Sequence, residues 1–253
     1  MSTPFHLANA HFRDLKSGHY EVAILPWGAT EAHNYHLPYG TDNMEADAFA
    51  FESARRASHR GARVIVLPTI PFGVNTTQLD INLTINMNPS TQLSVLKDVA
   101  HSLEQYGVAK LVILNSHGGN DFKQMIRELH LQHPIFMCAV NWYRSVDLHK
   151  YFDNPGDHAD EMETSVMMHL APEVVLPLSE AGDGSQRAAR IAAFREGWAW
   201  TPRRWSKVTN DTGTGNPAGA TAEKGKRYFN EVCEKLSQFF VELDAADVHD
   251  LYE

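Results

Sequence analysis

The sequence predicts an α/β fold, a mostly parallel sheet with helices on both faces, and three observations carry that reading. Short apolar runs recur at Val22 to Leu25, Val64 to Leu67, Lys110 to Leu114 and Ile135 to Val140. Each is continuous and bounded by turn residues, as in strands buried on both faces. Stretches of helical length and composition lie between them, so strand, loop and helix repeat in an order that builds parallel sheets.

The first run, Val22 to Leu25, breaks at Pro26 and Gly28. The stretch up to Asp42 then offers Glu31, His33, His36 and Asp42, a cluster of potential metal ligands beyond a strand's carboxyl end. Glu45 to Ser58 reads as a helix that Asp42 or Asn43 can cap. Asp42 therefore has two readings, ligand or cap. Val64 to Leu67, ended by Pro68, is the second strand. Residues 69–89 form a long polar loop containing Asp80, of a kind often functional in compact domains. Gln92 to Tyr106 is a helix closed by Gly107. The third strand, Lys110 to Leu114, runs into Asn115-Ser116-His117-Gly118-Gly119-Asn120 and a helix over about 122–132. The fourth strand leads to Asn141-Trp142-Tyr143. A helix is expected from about Ala159 to Leu170, stopped by Pro172, and a closing helix from Ala220 to Val241. Residues 179–220 are polar and Gly-rich and read as an excursion over the core, so residues 1–253 are expected to form one domain.

Composition narrows the function. A net charge of −9 argues against nucleic acid or an anionic membrane as partner. No apolar run reaches membrane-spanning length, and Met1 to Phe12 lacks the layout of a secretory signal. Cys138 and Cys233 fit no metal or redox spacing, so a reducing cytoplasm is the expected location. The 14 histidines are the informative feature, several of them beside Gly, Asp or Glu in apparent loops.

In a parallel sheet the loops after the first, third and fourth strands share one edge, which places Glu31, His33, Asp42, His117 and Trp142 around one crevice. Gly156 to Ser165 is the second concentrated signal. On a helix His158 and Glu161 are three apart and share a face, whereas Glu163 falls toward Val166, Met167 and Leu170. Read alone, that run is also an ordinary acidic first helical turn. Together the segments suggest a two-metal hydrolase. No Gly-x-Ser-x-Gly elbow and no phosphate-binding Gly-rich loop is present.

These residues resemble the creatininase (creatinine amidohydrolase) family. The match rests on Pro26-x-Gly28 leading to Glu31-x-His33-x-x-His36-Leu37-Pro38-x-Gly40-Thr41-Asp42, and on Asn115-x-His117-Gly118-Gly119-Asn120. It continues with His158-Ala159 through Glu163-Thr164-Ser165 and with Ala220-Thr221-Ala222-Glu223-Lys224-Gly225. The resemblance implies a three-layer α/β/α sandwich, hydrolysis of C–N bonds in small cyclic amides or formamides, and a homo-oligomer, often a hexamer. It implies two divalent metal ions, zinc with zinc or manganese, with iron a further option. By the same resemblance, Glu31 and His117 are ligands of one metal and His33 of the other. Asp42 bridges them, and His158 transfers protons. Trp142 matches an aromatic position of the family pocket, and Gly118 and Asp157 are assigned with it to substrate contact.

Two departures stand out. Creatininase has a tyrosine and a metal-binding glutamate after the histidine matched by His117, where this chain has Gly118 and Gly119. Glu161 is expected to supply the missing carboxylate, with Glu163 as a buried acceptor that orients a ligand. A tryptophan that encloses creatinine is also absent, since the region before His158 reads Asp153-Asn154-Pro155-Gly156. Formamide deformylases and peptidases that trim a modified peptide are other branches of the family. The alternative from another class is a metal-stabilised oligomeric binding protein without catalysis.

Overall fold

The computed structural model describes residues 4–252; Met1 to Thr3 and Glu253, the ends of the expected domain, lie outside the described residues. Four parallel strands form one sheet, β1 (Val22–Trp27), β2 (Val64–Val66), β3 (Lys110–Asn115) and β4 (Phe136–Asn141), in the order β2-β1-β3-β4. Every residue of β1, β2 and β3 is buried, so the strands read as continuous apolar runs and not as alternating ones. Alternate residues still serve different cores. Val22, Ile24, Val112 and Leu114 pack on one side, and Ala23, Leu25, Trp27, Leu111 and Ile113 on the other.

The longer helices are α1 (Thr41–His59), α2 (Pro89–Gln105), α3 (Lys123–Leu129), α4 (Glu161–Leu170) and α5 (Ala222–Ala245). Phe49 and Ala50 of α1, Val166 of α4 and Tyr228, Val232 and Phe240 of α5 cover one face of the sheet. Leu96 and Ala100 of α2 and Met125 and Leu129 of α3 cover the other. The result is the expected three-layer α/β/α arrangement. Among the described residues no helix is long and apolar enough to cross a membrane.

Several helix starts differ from expectation by a few residues, and two of the differences bear on function. Helix α1 begins at Thr41, four residues early, with Gly40 at its N-cap and no side-chain cap. Asp42 is therefore inside the first turn and is not the cap. Helix α4 begins at Glu161, two residues late, because Asp160 caps it by accepting from the N–H groups of Met162 and Glu163. Ala159 just before it has a φ of 49°, which turns His158 away from the helix axis.

The motif around 220–225 holds helices together. Thr221 caps α5 by accepting from the Lys224 N–H, and its own N–H donates to Ser165 Oγ. Gly225 lies against the Ser165 carbonyl so closely that a β-carbon would stand 1.9 Å from it. A glycine there is what lets α4 and α5 approach. Residues 171–221, which include the expected 179–220 excursion, add no strand to the sheet and contain short helical turns such as Ala192–Arg195 and Trp205–Val208.

Candidate metal centre

The loop after β1 delivers Glu31 and His33, the first turn of α1 delivers Asp42, and the turn after β3 delivers His117. Glu31, His33 and Asp42 are almost fully buried. Their positions follow from local hydrogen bonding. The Glu31 N–H donates to the Tyr39 carbonyl and closes the loop. Asn115, the last residue of β3, shapes the His117 turn by donating to the His117 carbonyl and accepting from its N–H. Asn120 donates to Asn115 and accepts from Gln92 and the Val74 N–H, tying that turn to α2 and the 67–88 loop.

Three histidines show one pattern. His33 Nδ1 lies 3.1 Å from the Glu31 carbonyl, His117 Nε2 3.1 Å from the Val74 carbonyl, and His158 Nε2 2.8 Å from the Ala32 carbonyl. Each ring therefore spends one N–H on a backbone acceptor. The other nitrogen of each ring faces the same carboxylates. His33 Nε2 is 3.1 Å from Asp42 Oδ1, His117 Nδ1 is 3.1 Å from Asp42 Oδ2 and 3.0 Å from Glu31 Oε1, and His158 Nδ1 is 3.6 Å from Glu31 Oε1. A backbone acceptor on the outer nitrogen fixes the tautomer and strengthens the inner nitrogen as a ligand. The donor atoms gather in overlapping trios, Glu31–Asp42–His117, His33–Asp42–Glu163 and Glu31–His33–His158, each with its ligand atoms within 4.8 Å of one another. Imidazole and carboxylate donors so grouped fit borderline divalent cations.

The electrostatics fit the same use. Burial pushes the Asp42 carboxyl up, but the His33 and His117 imidazoles outweigh it and hold Asp42 far below the usual carboxylate range. Burial pulls His33 down, yet Asp42 lifts it to about 10. Burial works against His117 too, and Glu31 and Asp42 raise it well above the ordinary imidazole range. Burial and the Asp42 charge lift Glu163 to about 8, against the pull of His33. His158 moves down, through burial and then the neighbouring His33, whose ring centre is 4.2 Å away.

A model of the creatininase family, described as creatinine amidohydrolase, matches residues 6–240. The chain belongs to the creatininase family. By family it is a metal-dependent amidohydrolase. A crystal structure from Bacteroides fragilis, of a protein provisionally named creatinine amidohydrolase, is 46% identical over 100% of both chains with a TM-score of 0.92. A mycofactocin precursor peptide peptidase from Mycobacterium ulcerans is 28% identical over 219 residues, covering 83% of this chain and 81% of that protein. A mutant creatininase of the Zn-Zn type is 18% identical, covers 95% of this chain and 98% of its own, and has a TM-score of 0.79. At that identity the last likeness speaks for the creatininase fold alone.

Within this creatininase-family chain the structure brings Glu31, His33, Asp42, His117 and His158 together, but not Glu161. Helical spacing does not relate His158 to Glu161, because His158 precedes the Asp160 cap and is not on α4. Glu161 is fully buried on another side, where it receives the Asn154 N–H at 2.7 Å and pairs with Lys224. Glu163, expected to orient a ligand from the apolar side, instead joins the trio with His33 and Asp42; one of its oxygens accepts the Ala159 N–H.

Gly119 explains why no glutamate follows His117. A β-carbon at Gly119 would stand 2.4 Å from both His117 Nε2 and the Val74 carbonyl, the two ends of the bond that orients the ring. A carboxylate from that position and this His117 pose exclude each other. Gly118 faces open space. Gly118, Trp142 and Asp157 line a cavity of about 150 Å³ together with Glu163. Trp142 is fixed in its wall by an N–H bond to Ser116 Oγ at 2.9 Å and by stacking on Phe49 at 4.0 Å.

Sequence reasoning missed two residues. Gln78, buried in the 67–88 loop, donates its amide to Glu31. Trp205, from the excursion, packs its ring 4.9 Å from that of His158. The excursion also clamps the His158 backbone, through paired bonds with Thr214 of 2.8 and 3.2 Å. The length and polarity of residues 69–89 were the one signal for Gln78. Nothing local marked Trp205.

Proposed function

We propose that the protein hydrolyses a C–N bond of a small cyclic amide, a formamide or a peptide amide at a centre of two divalent cations. The observation that supports this best is the triple histidine pattern, with each outer nitrogen on a backbone carbonyl and each inner nitrogen on a shared carboxylate. Glu31, Asp42 and His117 would hold one cation, and His33, Asp42 and Glu163 the other. Bound cations, zinc with zinc or manganese, supply an activated water and polarise the amide carbonyl. His158, neutral and with Nδ1 free of any backbone bond, takes up a proton and passes it toward the leaving nitrogen. Gly118, Trp142 and Asp157 shape the space for the substrate. The Mycobacterium ulcerans peptidase is the reason to include peptide amides. The same reading takes residues 1–253 as one domain, assembled as a hexamer in the cytoplasm. Turnover of at least one member of a panel of cyclic amides, formamides and short peptides by the metal-loaded protein tests the proposal. Tight binding without turnover of any member would favour the non-catalytic binding protein.

The carboxylate that completes the second cation is tested by a pair of variants. Glu163→Gln should lower metal content by roughly one equivalent per chain, because an amide is a far weaker ligand. Glu161→Gln should keep both metals and instead lower the melting temperature, since Lys224 loses its buried partner. Full metal content in Glu163→Gln, with loss in Glu161→Gln, would reverse the assignment.

Metal uptake should also release protons. In the metal-free protein His33 at about 10 and Glu163 at about 8 carry protons at pH 7, as does His117. Cations bind only the deprotonated forms, so loading at neutral pH should release roughly two to three protons per chain, and affinity should rise with pH. Calorimetric enthalpies of zinc binding that do not change with the buffer's ionisation heat would contradict this.

A further inference from the structure

A second cavity, of about 440 Å³, lies between the 76–80 segment and the 202–204 segment. Both walls connect directly to the metal centre. On one wall, Gln78 sits between lining residues Thr77 and Leu79 and donates to Glu31. On the other, Trp205 follows Arg204 and packs on the His158 ring. The walls are tied to each other by the Trp205 indole N–H to Thr77 Oγ1 at 3.0 Å and by its backbone N–H to the Thr77 carbonyl at 3.1 Å. Arg203 then links this cavity to the smaller one, because it pairs at 2.7 Å with Asp157, a lining residue of the space beside Glu163.

The charges on these walls are unequally used. Arg203 is occupied by Asp157 and lies 4.9 Å from the Trp205 ring centre. Asp80 accepts the Ser206 hydroxyl. Arg204 is different: among the described residues its guanidinium makes no ion pair and no side-chain hydrogen bond, although it lines the cavity. In a chain of net charge −9, a cation on this wall without a protein counter-ion is positioned for an anion from outside. Guanidinium geometry matches a carboxylate in a two-pronged contact. Asp80 and Asp157 nearby disfavour a doubly charged phosphate and tolerate a single carboxylate charge.

We propose that this groove is a substrate subsite and that Arg204 binds a carboxylate on the substrate, at the end remote from the scissile amide. The proposal rests on the amide-hydrolase reading of the adjoining centre. It makes the substrate class an acid-bearing amide, such as an N-acyl amino acid or the carboxyl end of a short peptide.

The test uses zinc-loaded protein and matched probes: N-formylglycine, N-formyl-diglycine and N-formyl-triglycine, each against its carboxamide. Affinity is read by calorimetry where a probe is not turned over, and kcat/KM where it is. At the chain length that spans the two sites, the carboxylate should be preferred by about 10- to 100-fold, the range of a charge-assisted hydrogen bond. Arg204→Gln should bring that ratio close to one, and Arg204→Lys should retain part of it. Melting curves check that the variants fold, as expected for an exposed side chain. A ratio near one at every length in the wild type, including no binding of either probe, would overturn the subsite, as would a preference that survives Arg204→Gln. Absence of turnover with the ratio intact would count against the hydrolase reading alone.

Discussion

Asp42→Ala should bind neither metal and should lose turnover on any true substrate. One oxygen of Asp42 is 3.1 Å from His33 Nε2 and the other 3.1 Å from His117 Nδ1. It is the one residue shared by the two trios proposed to hold separate cations. Removing Glu31 or Glu163 takes a donor from one cation, whereas removing Asp42 takes a donor and a negative charge from both. Asp42→Asn should be nearly as damaging, because an amide keeps the shape but cannot balance two cations. The metal-free protein should also suffer, since buried imidazoles that lose their counter-charge either give up protons or destabilise the fold. Metal analysis and a melting curve on the same preparation read both effects. Two full metal equivalents in Asp42→Ala would reduce Asp42 to an acidic residue that interacts with the first turn of α1.

His158→Ala should keep its metals and lose about 10²–10⁴-fold in kcat, the usual worth of a positioned general acid–base. Its Nε2–H is spent on the Ala32 carbonyl at 2.8 Å, which leaves Nδ1 with the lone pair. Burial, and then His33, hold the ring below its ordinary pKa and therefore neutral near pH 7. Trp205 and the Thr214 backbone keep it from rotating away. These features suit a proton acceptor. They also suit a ligand, because Nδ1 stands with Glu31 and His33 in one of the trios. Metal content decides between them: if it falls along with activity in His158→Ala, the residue holds a cation and some other group moves the proton.

Much of this architecture was legible in the residues. The four apolar runs became four parallel strands because strands covered on both sides need no polar alternation, and that pattern is local. The ligand candidates at 31, 33, 42 and 117 were legible because a parallel sheet places successive loops on one edge. The misplaced carboxylate was not. Glu161 and Glu163 are two residues apart in one helical turn, and spacing favoured Glu161 only if His158 began the helix. Asp160 caps the helix instead, and Ala159 adopts a positive φ, so the expected shared face does not exist.

The sequence by itself determined the family, the parallel α/β sandwich and the four segments that meet at the centre, since these depend on apolar runs, turn residues and motif order. Tertiary structure alone decided which carboxylate faces the histidines, why Gly119 must lack a side chain beside His117, and that Gln78, Trp205 and Arg204 belong near the centre. The physical reason is range. Burial patterns and turn chemistry act over a few residues and leave a trace in the local sequence. A hydrogen bond from Gln78 to Glu31 or the packing of Trp205 against His158 joins side chains 47 residues apart in one case and drawn from a separate excursion in the other. Such contacts exist only after the chain has closed on itself.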